Sequence, residues 1–197
     1  MLWAVVAFQA VVIFLILRQL GQMYLGTAQG VSRDGLAPGR KAPEFTVPDL
    51  AGGAISLAQF QGTPLLLVFG ATNCNPCKSL MPDLNAFADE YRGQLNVLYL
   101  SRSEPDAARA FVAEFDVRVP VGVHPDTELP EQYLARVTPF AFLIDGEGIV
   151  RAKGLANGRE HLDMLLLMAR RDSKDAVVPV AQNGASHEAV HASEGHH

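Results

Sequence analysis

Residues Leu65–Phe69 form an unbroken apolar run between Pro64 and Gly70, and Cys74-Asn75-Pro76-Cys77 follows almost at once. So short a run, with no polar alternation, suits a strand covered on both faces. Beyond the cysteines, Leu80, Met81, Leu84, Phe87, Ala88 and Tyr91 recur at three- and four-residue steps, so residues 76–92 read as a helix. Pro76 falls near the first helical position, where its missing N–H costs nothing. Pro82 lies inside the helix, where it should remove one hydrogen bond and cause a kink. The chain is thereby committed to a buried strand that turns directly into a helix, with Cys74 in the turn.

These two cysteines are the only ones in 197 residues. Spaced three apart at a helix start, they let one sulfur attack a substrate while the other waits one turn away to resolve the adduct. The free N–H groups and positive dipole end of the helix stabilise a thiolate there, which makes Cys74 the expected attacking group and Cys77 the resolving one. Other readings compete. A structural disulfide closing so short a loop would remove little chain entropy. A zinc site wants a second ligand pair, and His124 and His161 stand alone. Inert thiols and a non-catalytic, membrane-tethered scaffold are the remaining options. Lys78 reads as solvated near the helix start rather than as a tuner of the thiolate.

The flanking sequence supplies the rest of a domain. Phe45–Val47 and Ile55–Leu57 read as short strands around a turn at Gly52-Gly53. Strands are expected over Gln94–Leu100, Val119–Val123 and Phe140–Ile144, with Ile149–Lys153 completing a hairpin through Asp145–Gly148. Helices are expected over Pro105–Phe115, over Pro130–Val137 starting at Pro130, and over Arg159–Arg170 with Leu162, Leu165, Leu166, Met168 and Ala169 buried. This order implies a mixed sheet sandwiched between helices.

The ends differ from the middle. Leu2–Leu17 carries no charge and one polar residue, Gln9, near the short limit for a bilayer span. No positive region precedes it and no small-x-small cleavage site follows, so residues 1–25 read as an uncleaved transmembrane anchor rather than a signal peptide. All sixteen Lys and Arg lie after this run, which by charge alone leans toward a cytoplasmic C-terminal domain. Glycines and prolines mark residues 26–40 as a linker. Residues 172–197 are poor in large apolar groups and read as a disordered tail. Four of the six histidines, His187, His191, His196 and His197, lie there, so copper or zinc binding by the cysteine pair and the tail is a rival function. The net charge of −5 argues against non-specific nucleic-acid binding.

Over residues 41–171 the chain resembles the thioredoxin-like superfamily. The resemblance rests on order: the strand ending in Phe69, Cys74 and Cys77, Lys78, Pro82, then Thr138-Pro139 and a terminal hairpin and helix. Asp49–Gly53, Ile55-Ser56-Leu57, Phe60-Gln61-Gly62 and Pro64 are similar to membrane-anchored TlpA-type proteins, and Leu17–Gly21 resembles, more loosely, the methylamine-utilisation accessory thioredoxins of the MauD type. The resemblance implies a three-layer α/β sandwich and a thiol:disulfide oxidoreductase that needs no cofactor. It implies Thr138 and a cis Pro139 as the substrate-docking loop facing the cysteines. It further implies an extracytoplasmic domain, against the charge bias, with an exported protein substrate and a membrane electron donor. Three departures stand out. Asn73 replaces the usual Trp, Val68 replaces a buried Asp that handles protons, and residues 101–128 look inserted. Glu104 or Glu128 would be the substitutes for that acid. A peroxiredoxin shares the fold, but the positions of its pocket Thr or Ser and Pro are Ala71 and Leu67 here.

Overall fold

The computed structural model describes residues 34–172, together with Gln9 and Val11–Phe14, which are helical and exposed. Most of the expected anchor and all of the tail beyond residue 172 lie outside the described residues. Among the described residues no helix is long and apolar enough to cross a membrane.

Two short strands, β1 (Thr46–Pro48) and β2 (Ala54–Ser56), pair antiparallel and lead into a 3-10 turn, Leu57–Phe60. Then come β3 (Leu65–Gly70), α1 (Asn75–Glu90), β4 (Asn96–Ser101), α2 (Pro105–Glu114) and β5 (Val121–Val123). The chain ends with α3 (Glu128–Gln132), β6 (Phe140–Ile144), β7 (Val150–Leu155) and α4 (Arg159–Asp172). The main sheet has the order β5-β4-β3-β6-β7. β3 and β4 are parallel, as are β4 and β5, whereas β6 runs antiparallel to both β3 and β7.

β3 is central and buried at all six positions, which explains its unbroken apolar text. Alternate residues serve opposite layers. Leu66 and Val68 pack with Leu80, Met81, Leu84 and Phe87 of α1, Phe111 of α2, and Leu162, Leu165, Leu166 and Ala169 of α4. Leu65, Leu67 and Phe69 face Phe45, Val47, Ile55, Leu57, Leu129 and Tyr133. The expected mixed sheet with helices on both faces is present: α1, α2 and α4 pack on the first face, and the second carries the five-residue α3 together with the β1–β2 hairpin and the 3-10 turn. Each large apolar side chain so buried contributes about 1.5–3 kcal/mol.

Several boundaries differ from the sequence reading. α3 begins at Glu128, two residues before Pro130. Met168 is exposed on α4, because the buried stripe Leu162–Leu165–Leu166–Ala169 leaves it on the outer face. The 101–128 segment adds α2 and a third parallel strand, β5. That edge is covered by the hairpin, where Leu50 N–H donates to Val121 O and Asp49 bridges to Gly122.

Residues 34–40, whose glycines and prolines suggest a linker, are bonded into the domain. Gly35 and Leu36 N–H donate to the carbonyls of Leu134 and Tyr133, at 2.8 and 3.1 Å. Gly39 N–H donates to Val150 O, and Val150 N–H donates to Arg40 O. Gly35 has φ +76°, and a Cβ there would sit 2.6 Å from the Phe140 ring, so only glycine fits.

Candidate active site

The redox loop starts where β3 ends. Gly70 is held by lack of space: a Cβ would lie 1.9 Å from the Tyr99 hydroxyl. Ala71 O accepts the Cys74 N–H at 3.3 Å, closing the turn that delivers Cys74 to the N-cap of α1 in extended conformation. There its Sγ accepts the N–H of Cys77 at 3.2 Å, taking one of the orphan donors of the helix end. Cys74 and Cys77 are joined as a disulfide with Cα atoms 5.2 Å apart. Cys74 is half-buried, whereas Cys77 is 0% exposed.

The second half of the site comes from a distant part of the chain. The Thr138–Pro139 bond is cis. The carbonyl oxygen of Thr138 lies 3.6 Å from Cys74 Sγ. Pro139 is buried and its own carbonyl accepts the Ala156 N–H at 3.1 Å, which ties the loop to the end of β7. Thus all four residues singled out in the sequence belong to one place. Leu134 and Val137, just before Thr138, are exposed apolar side chains.

Other expectations resolve differently. The Lys78 ammonium sits over the Phe115 ring, 5.6 Å from its centroid, rather than free in solvent. Glu104 is exposed at the N-cap of α2, and exposed Glu128 accepts a hydrogen bond from Gln132. Neither is a buried acid of the thioredoxin kind. Val68, at that acid's position, is fully buried, and its neighbour across the parallel pair is Tyr99. Tyr99 is stacked on Phe111, its hydroxyl has no hydrogen-bond partner within normal geometry, and burial pushes its phenol far above the usual range. Among the described residues, no three His, Cys, Asp or Glu side chains are placed to hold a metal ion.

His124, unremarkable in the sequence, is buried (4% exposed) just after β5, edge-on to Phe69. Its Nδ1 lies 3.4 Å from Asp126 O, and its Nε2 has no partner. Burial pushes its pKa below the ordinary histidine value, and the Arg102 charge adds to this, against opposing contributions from Asp126 and the Leu100 carbonyl. The unfolded chain therefore takes up the proton first, at about pH 6.5. Stability from this group is complete above that pH and lost as pH falls through and below it. Replacing His124→Phe should therefore shrink the drop in unfolding free energy between about pH 7.5 and 5.5, by up to about 1.4 kcal/mol. Chemical denaturation of both proteins at the two pH values checks this. An unchanged drop would mean that His124 titrates alike in both states.

A strand-to-helix turn bearing two cysteines, opposed by a proline loop on a mixed five-stranded sheet, defines a thioredoxin-like thiol:disulfide oxidoreductase. Residues 38–153 match the model of the AhpC/TSA family. The chain belongs to that family. Methylamine utilization protein MauD from Paracoccus denitrificans is 32% identical over 175 residues, an alignment covering 84% of each chain. Thiol-disulfide oxidoreductase ResA from Bacillus cereus is 35% identical over 114 residues, covering 57% of this chain and 66% of its own. The MauD match therefore extends over more of the chain than the ResA match, although the sequence motifs made it look the looser one. Among solved structures, a Chlorobium tepidum protein assigned as thiol:disulfide interchange protein DsbE superposes with a TM-score of 0.63 at 28% identity. That superposition covers 68% of this chain and 98% of the other.

Proposed function

We propose that Cys74 is the attacking thiol and Cys77 the resolving one, in exchange with a disulfide or dithiol of an exported protein. The difference in burial between the two sulfurs carries this assignment, because only Cys74 can be reached by a protein substrate. The Cys74 thiolate attacks one substrate sulfur, the substrate S–S bond breaks, and a mixed disulfide forms with one substrate thiolate released. The Cys77 thiolate then attacks Cys74 Sγ and releases the second substrate thiolate, leaving the Cys74–Cys77 disulfide. Two electrons pass to the substrate, and the reverse sequence oxidises a dithiol. The Cys77 N–H directed at Cys74 Sγ favours the thiolate at the attacking position. The Thr138–Pro139 loop lays the substrate backbone beside Cys74.

Residues 1–25 anchor the protein in a membrane, with the catalytic domain extracytoplasmic and a membrane protein supplying electrons. The uncharged stretch Leu2–Leu17 and the TlpA-type pattern support this reading. A peroxidase reading has less behind it: Ala71 and Leu67 offer no hydroxyl or proline at the pocket positions, and Leu67 packs on the face away from α1.

The test is an in-cell trap. In Cys77→Ser the mixed disulfide has no internal resolving thiol, so precipitation without reductant should yield protein adducts that reductant dissolves. Those adducts should vanish when Cys74 is also replaced. Free thiols with no adducts would overturn the exchange assignment and favour metal binding or a scaffold.

A further inference from the structure

The loop that faces Cys74 is held by a strap from the start of the domain, and one lysine side chain clamps the end of that strap in addition to its backbone bonds. Lys153 extends from β7 and its Nζ donates to the carbonyl oxygens of Asp34 and Gly35, at 2.6 and 2.7 Å. The N–H groups of the same two peptide units, those of Gly35 and Leu36, donate to the carbonyls of Leu134 and Tyr133. Asp34 is 9% exposed, and its carboxylate lies 3.8 Å from the Arg136 guanidinium. Leu134 is in the left-handed region, φ +56°, and from there four residues lead to Thr138. Tyr133 is pinned from below, its hydroxyl donating to Pro43 O at 2.7 Å.

The segment 134–138 therefore has its N-terminal end fixed by the strap, and the Ala156 N–H bond to Pro139 O fixes the chain just beyond its C-terminal end, where Thr138 lies beside Cys74. An ammonium held by two carbonyls makes strong, charge-assisted bonds. Nothing in this chain of contacts touches the sulfurs directly, apart from Thr138.

We propose that Lys153 is a positioning residue for exchange with protein substrates: by clamping the Asp34–Gly35 carbonyls it fixes the Leu134–Thr138 loop against which the substrate backbone docks. This rests on the proposed docking role of Thr138 and Pro139. With the clamp gone the strap frays, the loop samples several positions, and each docking event must order it again. Binding of an extended polypeptide suffers, while reaction with a small disulfide that needs only the Cys74 sulfur does not.

The experiment compares the full-length wild type, Lys153→Met and Lys153→Arg, using insulin as the protein probe and 5,5′-dithiobis(2-nitrobenzoate) as the small disulfide. In Lys153→Met, KM for insulin should rise roughly tenfold with kcat little changed. The rate with the small disulfide and the equilibrium with glutathione should stay within about twofold, and Lys153→Arg should restore the insulin KM. An unchanged insulin KM, or equal losses with both probes, would overturn the inference. If Lys153→Met does not fold, Lys153→Gln, which can reach the carbonyls with a neutral donor but lacks the charge, must raise the insulin KM selectively by about two- to threefold. Failure of the wild type to react with either probe would instead overturn thiol–disulfide exchange itself.

Discussion

Cys74→Ser should lower the rate of disulfide exchange by at least roughly a thousandfold, because a hydroxyl at the N-cap cannot replace a thiolate as attacking group. The loss should be in kcat, not in folding: serine is a good N-cap, and the Cys77 N–H keeps an acceptor. Cys77→Ser should behave differently, since the first attack survives and only release of the adduct fails. The two variants together separate an attacking from a resolving sulfur. In the reduced protein, alkylation at limiting reagent should modify Cys74 ahead of Cys77, which is fully buried. Retained turnover in Cys74→Ser, or equal labelling of the two sulfurs, would reverse or cancel the assignment.

Phe69→Ala should destabilise the domain by about 3–5 kcal/mol, the cost of an aromatic truncation that leaves a void. For a domain of this size that lowers Tm by roughly 10–20 °C. The ring is at the centre of an aromatic cluster, with centroids 5.2 Å from Tyr133, 5.9 Å from Phe142 and 5.9 Å from His124. Its backbone pairs with Phe140, the residue after Pro139. One substitution thus loosens the strand that delivers the cysteines and the strand that begins at the docking loop. Thermal unfolding followed by circular dichroism measures the effect. A loss below about 1 kcal/mol would show that the surrounding side chains collapse into the space.

The parts of the molecule that were legible in the sequence are those that depend on near neighbours. β3 declared itself because a strand covered on both faces needs no polar residue. α1 declared itself through the spacing from Leu80 to Phe87, and Cys74 and Cys77 through their position at its start. What stayed hidden depends on partners far along the chain. Gly35 and Gly39 look like linker residues, yet their N–H groups are bonded to carbonyls of Leu134 and Val150. Lys153 reads as an ordinary strand lysine until the carbonyls it binds are known. Met168 fits the helical repeat of α4, but its side falls outside the buried stripe. Tyr99 and His124 resemble any core aromatic and any lone histidine, and only burial without a full set of hydrogen bonds singles them out. Val68 told that the usual acid was missing, and nothing in the sequence told that a tyrosine on the adjoining strand would take the neighbouring space.

The two halves of the site differ in what they ask of the chain. Cys74 and Cys77 are three residues apart and need only one helical turn, whereas Cys74 and Thr138 are 64 residues apart and meet only when β6 has docked on β3. Local contacts form early and cheaply, and distant ones require the whole sheet. A chain that has lost its tertiary structure therefore keeps two neighbouring thiols but loses both the helix end that activates Cys74 and the surface that chooses among substrates. Reactivity and selectivity are both properties of the docked sheet.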